Sequence, residues 1–248
     1  MVEHPPAPVL RLRNLRKSYY NKPVLHGIDL EVAPGQVIGY IGPNGAGKST
    51  TLRILGGIDN RFEGEVEVLG IDVRKNPLEV KRRIGFLPES GDLYQELTPA
   101  EFYDLIGGLH GMAEADIRET TGRLEDFLQL SYTKNQRLDT FSKGMKQKVL
   151  LTSTLLHDPD LIFMDEPLNG LDANSVIRVK QLLEDLTGRG KTIFYSSHIM
   201  DVVERISDRI VLLYNGRIAA NGSFAEINRR LRSGSLEDLF AQLTNPNG

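Results

Sequence analysis

Hydrophobic and polar positions alternate with a period of two through the first third of the chain. Over 24–32, Ile28, Leu30 and Val32 fall on one side and Asp29 and Glu31 on the other, the pattern of a strand with one buried face. Segment 9–19 also reads as a strand, and 65–69 alternates between the punctuating Gly64 and Gly70. Together the three segments predict an antiparallel layer. Pro34-Gly35 then turns the chain into an apolar, β-rich run from Val37 to Ile41. A short helix over 77–83 and an apolar strand over 84–87, ending at Pro88-Glu89, follow.

Beyond residue 93 the period becomes helical. Thr98-Pro99-Ala100-Glu101 is a capping box with proline at the first helical position, and Phe102, Leu105, Ile106 and Leu109 follow on one face. A second helix over 115–130 gathers Ile117, Leu124, Phe127 and Leu128. Farther on, 161–164, 192–196 and 209–213 are short apolar runs separated by helical segments, which predicts buried parallel strands joined by crossovers. Tyr214-Asn215-Gly216-Arg217 signals a hairpin. The expected fold is α/β, with a mainly parallel sheet, an antiparallel β-layer and a helical lobe inserted at about 92–145, all within residues 9–222. Residues 1–8 are expected to be disordered and 223–248 to form a helical tail with a frayed end.

Composition narrows the classes. A chain of 248 residues can bury a large core. Its net charge of -3 and pI of about 6.0 provide no global attraction to nucleic acid or to an anionic membrane. The lack of cysteine excludes disulfides, thiolate metal sites and cysteine nucleophiles. Apolar stretches such as 210–214 are far too short to span a bilayer, so no direct membrane insertion is expected.

The chemistry begins where the run Val37 to Ile41 ends. Gly42-Pro43-Asn44-Gly45-Ala46-Gly47-Lys48-Ser49-Thr50 fits the pattern G-x-x-x-x-G-K-[ST], with a strand before it and a segment able to be helical, 50–55, after it. Gly42, Gly45 and Gly47 let backbone N–H groups approach a polyphosphate, and the helix N-terminus adds to the attraction. Lys48 should reach the β- and γ-phosphates, and the Ser49 hydroxyl should ligate a magnesium ion bridging them. Four apolar residues then end in Asp165-Glu166, as expected at the carboxyl edge of a parallel sheet, where ligands bind. Asp165 suits the magnesium, directly or one ligand removed, and Glu166 could polarise a water for in-line attack on the γ-phosphate. Between these motifs Ser142 reads as the N-cap of an apolar helix.

Phosphate loop, helical insert, the Ser142-Lys143-Gly144 helix start and Asp165-Glu166, in that order, resemble the ATP-binding cassette (ABC) family of ATPases over roughly 9–222. The family's signature is usually Leu-Ser-Gly-Gly-Gln; here Phe141-Ser142-Lys143-Gly144-Met145 keeps the serine and the second glycine. The resemblance implies that Ser142 and Gly144 of one copy cap the γ-phosphate held by the loop of a second, sandwiching ATP, with Lys143 adding positive charge. It implies that Glu89, where the family usually has glutamine, senses magnesium and the attacking water. His198 would contact the γ-phosphate. Leu171-Asp172 matches a loop that runs between copies, although Asp172 also reads as a helix cap. Tyr19 falls where the family stacks a ring on adenine, and reads equally as β-layer core. The implied catalytic residues are Lys48, Glu166 and His198, and the implied metal ligands Ser49, Glu89 and Asp165. His4, His26, His110 and His157 receive no role.

The run from Ser142 to Gln147, the segment Phe86-Leu87-Pro88-Glu89 and the ending Leu236-Glu237-Asp238-Leu239-Phe240 resemble the cassette subunits of exporters for drugs, antibiotics, polysaccharides or ions. That implies an ATPase peripheral on the cytoplasmic face of the cell membrane, paired with a second cassette and driving polytopic permease subunits. These would dock in a groove between core and helical lobe near Leu93, Tyr94, Leu97 and Phe102, although Phe102 fits a packed core equally. The competing class is a soluble cassette ATPase regulating ribosomes or DNA metabolism. Against it, the family's translation factors carry two cassettes and its chromosome-maintenance members long coiled-coil inserts, neither of which fits in 248 residues. A GTPase would need an Asn-Lys-x-Asp motif, which the chain lacks.

Overall fold

The computed structural model describes residues 6–89, 94–133, 135–198 and 200–231. The expected disorder at 1–5, the groove residue Leu93, the tail beyond 231 and the 236–240 ending lie outside the described residues. Strands β1 (Leu10–Tyr19) and β2 (Lys22–Val32) pair antiparallel, and β3 (Val37–Ile41) leads to helix α1 (Lys48–Leu55). With β4 (Glu63–Val68) and β5 (Ile71–Asp72), the first two strands form a four-stranded antiparallel sheet in the order β2-β1-β4-β5. The alternation in 24–32 has the expected consequence: Ile28, Leu30 and Val32 are buried. They join Leu10, Leu12, Tyr40, Leu52 and Phe163 in one core that fuses this layer to α1 and the second sheet.

That second sheet adds β6 (Ile84–Leu87), β7 (Leu161–Asp165), β8 (Thr192–Ser197), β9 (Arg209–Tyr214) and β10 (Arg217–Gly222). Its order is β10-β9-β3-β8-β7-β6. All neighbours are parallel except the β9–β10 hairpin. Helix α2 (Pro77–Arg83) precedes β6. Parallel strands are covered on both faces, which is why β3 and β7 are buried throughout and carry no alternation. Their carboxyl ends, Ile41 and Asp165, lie two strands apart with β8 between them.

Helices α3 (Pro99–Leu109) and α4 (Glu114–Leu128) lie in the chain between β6 and β7, followed by α5 (Lys143–Leu155). The capping box of α3 forms, with Thr98 and Glu101 each satisfying the other's backbone N–H. Phe102, Tyr103, Ile117, Leu138 and Val149 make a separate core. On the far side of α5, Leu151 and Leu155 pack with Leu124 and Leu128 of α4 against the sheet. The buried face of α3 differs from the expected one. Leu105 and Leu109 are 40% and 72% exposed, while Tyr103 and Gly107 are buried. The crossing runs through Gly107, where a Cβ would come within 2.4 Å of the Ile117 side chain, and this turns Leu105 and Leu109 outward. The remaining α-helices among the described residues are α6 (Ala173–Gly188), α7 (Met200–Ile206) and α8 (Phe224–Leu231).

Candidate functional site

The loop 42–47 leaves β3 and becomes α1 at Lys48. Two of its glycines are required by their surroundings: a Cβ on Gly42 would lie 2.3 Å from the Leu213 carbonyl oxygen, and Gly47 has φ of 109°. The N-terminus of α1 has neither a side-chain cap nor an acidic residue in its first turn. Its leading N–H groups are therefore available to an anion. The buried Lys48 donates from Nζ to the carbonyls of Gly42 at 2.8 Å and Pro43 at 3.3 Å, holding its ammonium over the loop. Lys48, Ser49 and Thr50 line a cavity of about 1140 Å³ together with Tyr19, Glu89 and Glu166. Asn44, Gly45 and Gly47 border it as well, and Pro43 and Ala46 complete the loop.

Asp165 and Glu166, at the end of β7, are both nearly buried, 5% and 8% exposed. Ser196 organises them. Its Oγ donates to Asp165 Oδ1 at 2.5 Å and accepts the Glu166 N–H at 3.1 Å. Glu166 has φ of 50°, a left-handed conformation that costs about 1–2 kcal/mol for a residue with a side chain. Its carboxylate Oε2 is 2.8 Å from His198 Nδ1 and also accepts the His198 backbone N–H at 3.3 Å. His198 itself is exposed, 59% by side chain, and lies beside the cavity's acid. Sequence reasoning assigned nothing to Ser196. Its signal is the β7–β8 register, which sets Asp165 opposite Ser196.

Ser142, Gly144 and Asp172 do not line the cavity that holds Lys48 within one chain. Ser142 caps α5 by accepting the Met145 N–H at 3.2 Å. Asp172 caps α6, accepting from the N–H and hydroxyl of Ser175 at 3.0 and 2.7 Å. Gly144 presses on the loop after Glu166, where a Cβ would sit 2.9 Å from the Gly170 carbonyl oxygen. Lys143 is exposed and donates to the neutral Asn169 side chain at 3.0 Å. Gln147 ties α5 to the Pro167 carbonyl at 3.0 Å. The start of α5 and the loop 166–172 therefore form one packed unit.

At the other end of the cavity, Tyr19 is 37% exposed and stands on the rim, not in the β-layer core. Beside it lie Pro23, Val24 and three residues to which the sequence gave no part in the site, His26 and the turn residues Asn215 and Gly216. The β9–β10 turn reaches them by tertiary pairing, with the His26 N–H donating to the Gly216 carbonyl at 2.9 Å.

A second cavity, of about 320 Å³, opens between sheet and helical lobe, lined by Ile58, Phe86, Phe102, Ile106, Leu150 and His157. Of the expected groove residues, Phe102 lines it, Tyr94 is 63% exposed and Leu97 packs against the lobe core. His110 and His157 stack in its wall with ring centroids 3.7 Å apart. Burial, with the neighbouring His110, pushes His157 down to about 4, and burial also lowers His110.

Ser49, Glu89 and Glu166 place oxygen atoms on the cavity wall, and Asp165 directly precedes Glu166 at the end of β7. Among the described residues no cluster of three or more His, Cys, Asp or Glu could hold a metal alone.

The ABC transporter family pattern matches residues 25–169. The linearmycin resistance ATP-binding protein LnrL of Bacillus subtilis is 31% identical over 236 residues, covering 95% of this chain and 75% of that protein. The ABC transporter ATP-binding protein NatA of the same organism is 36% identical, covering 86% and 87%. The Nod factor export ATP-binding protein I of Rhizobium meliloti is 36% identical, covering 88% and 65%. Among solved structures, an ATP-binding subunit of an ABC transporter superposes with a TM-score of 0.88 at 33% identity, over 95% of this chain and 99% of that one. A dimeric ATP-binding cassette in a post-hydrolysis state, bound to ADP and Pi, superposes with a TM-score of 0.80 at 26% identity, over 86% and 98%.

Proposed function

Because this chain belongs to the ABC transporter family of ATP-binding proteins, we propose that it is the ATPase that drives a separate membrane permease, in the direction of export. The observation that carries the reading is the shared cavity of Lys48, Ser49, Glu89 and Glu166, with Glu166 held by His198 and Ser196. Lys48 and the α1 N-terminus bind the β- and γ-phosphates of ATP. Ser49 and Asp165, with Glu89 on the cavity wall, would hold a magnesium ion, which would supply positive charge to offset that of the phosphates. Glu166 orients a water in line with the γ-phosphorus and accepts its proton; the water oxygen bonds to the phosphorus as the phosphorus bond to the β,γ-bridging oxygen breaks, giving ADP and phosphate. His198 fixes the Glu166 carboxylate and turns toward the γ-phosphate when nucleotide is bound.

Ser142 and Gly144 do not line the Lys48 cavity of their own chain, and in this reading the site is completed by a second copy whose α5 N-terminus caps the γ-phosphate and whose Asp172 loop lies between the two halves. The similarity to a dimeric cassette supports that pairing. No helix among the described residues is long and apolar enough to cross a membrane, and the reading gives the membrane-spanning part to a separate permease. The groove lined by Phe86, Phe102 and Ile106 suits docking of that permease, which would hold the chain at the inner face of the membrane. Relatives named for linearmycin resistance and Nod factor export support export as the direction. The test is affinity purification of tagged Glu166→Gln from detergent-solubilised native membranes with ATP and magnesium. A polytopic membrane protein in stoichiometric amount is expected; recovery only with ribosomes or DNA-bound factors would transfer the ATPase to the competing class.

A further inference from the structure

Tyr19 reaches the rim of the nucleotide cavity on a mount of unusual polarity. Lys17, two residues earlier on β1, has a side chain only 4% exposed. Its Nζ lies 4.5 Å from the centroid of the Tyr19 ring. The same ammonium is 2.8 and 2.7 Å from the two oxygens of Asp59 and donates to the Arg61 carbonyl at 2.5 Å. Asp59 Oδ2 accepts the Tyr19 hydroxyl at 2.9 Å, and Oδ1 accepts the Arg61 N–H at 3.0 Å. Asp59 is itself anchored to the phosphate-binding helix, its N–H donating to the Arg53 carbonyl of α1 at 3.1 Å. The hydroxyl at one end of the ring and the ammonium on one face therefore fix both its position and its tilt.

A buried ion pair is a weak source of stability, because desolvating both charges offsets most of their attraction. Its value here is geometric. We propose that Lys17 and Asp59 are positioning residues that hold Tyr19 as a platform for the purine base of the nucleotide, with register set from α1, the helix that binds the phosphates. The inference rests on the reading of Tyr19 as the base platform and adds the device that sets it. It also has an electronic side. A cation over one face draws π-electron density toward itself, leaving the opposite face of the ring less negative and better suited to an electron-rich purine. The protonation states agree. Burial, then the bond to Asp59, raises the Tyr19 hydroxyl above its usual value; burial opposes but the bonds from Lys17 and the Arg61 N–H hold the Asp59 carboxyl below its own. The donor therefore stays a donor and the acceptor an acceptor at neutral pH.

The test compares calorimetric binding of MgATP with that of magnesium tripolyphosphate, which has the phosphates and no base, for Tyr19→Ala, Tyr19→Phe, Asp59→Asn and Lys17→Met. Tyr19→Ala is expected to weaken MgATP about tenfold or more, as loss of base stacking does, and to leave tripolyphosphate unchanged. Asp59→Asn and Lys17→Met should weaken MgATP roughly three- to tenfold, again without affecting tripolyphosphate. Tyr19→Phe, which removes only the hydroxyl, should give a smaller loss of the same kind and decides the matter should Lys17→Met fail to fold. A loss with Tyr19→Ala alone would overturn the positioning device while leaving the platform. No loss with Tyr19→Ala would overturn the platform and the device together, and equal losses for both ligands would reduce the ion pair to a structural support.

Discussion

Replacing Ser196 by alanine should damage the site although Ser196 does not line its cavity. The side chain is fully buried and serves two partners at once, donating to Asp165 Oδ1 at 2.5 Å and accepting the Glu166 N–H at 3.1 Å. Alanine supplies neither. Loss of a hydrogen bond to a buried carboxylate costs about 1.5–3 kcal/mol, and a stranded buried N–H about 1–3 kcal/mol. The two losses share one hydroxyl and do not add in full, so the net destabilisation is about 2–4 kcal/mol. For a chain of this size that lowers Tm by roughly 5–12 °C. Catalysis should fall separately, because the Ser196 bond helps to hold Glu166 in its left-handed conformation. A drop of about tenfold or more in kcat is expected, with little change in KM, since Lys48 and the α1 N-terminus are untouched. Circular dichroism melting and a coupled ADP-release assay on Ser196→Ala read both quantities. A Tm within about 2 °C of the parent together with unchanged kcat would refute the reasoning, because no partner as well placed would then have been lost.

Glu89→Gln removes a carboxylate from the cavity wall, and should raise the magnesium concentration for half-maximal ATPase by roughly threefold or more; superimposable magnesium titrations would discard the role given to Glu89. Gly144→Ala places a Cβ against the Gly170 carbonyl, and is expected to leave nucleotide binding to the single chain intact while lowering ATPase about tenfold; parental turnover would mean that the packing of α5 on the loop 166–172 is irrelevant to catalysis. The pH dependence of stability has a sign fixed by His157, whose folded value of about 4 lies below the roughly 6.5 of an unfolded chain. Above about pH 6.5 both states are neutral there; as pH falls from about 6.5 toward 4 the unfolded chain takes up the proton and the folded one does not, so stability declines. Melting at about pH 7.5 and about pH 5 should show a smaller decline in His157→Asn than in the parent, and equal declines would dismiss the assignment.

What the sequence made legible is what lies close together along it. The phosphate loop needs only a strand, a turn and a helix in succession, and the predicted strand Val37 to Ile41 and the helix ending at Leu55 coincide with β3 and α1, apart from a start at Lys48 rather than Thr50. The strands of the α/β core announced themselves as apolar runs because parallel strands are buried on both faces. Features set by tertiary register stayed hidden. Ser196 meets Asp165 only because β8 pairs beside β7 in one register, and Gly216 meets His26 only because the β9–β10 turn lands against the middle of β2. Leu105 and Leu109 have the right period for a buried face, but close approach at Gly107 turns the helix elsewhere. Lys17 and Asp59, 42 residues apart, show no local sign of being a pair.

The most direct test of catalysis by two copies closing on ATP is size exclusion with light scattering on Glu166→Gln at saturating MgATP. Removing the carboxylate that orients the attacking water while leaving every phosphate contact in place should trap unhydrolysed ATP between two copies, giving the mass of a dimer that returns to monomer when ATP is withdrawn. A persistent monomer with ATP bound would contradict the completion of the site by Ser142 and Gly144 of a second chain.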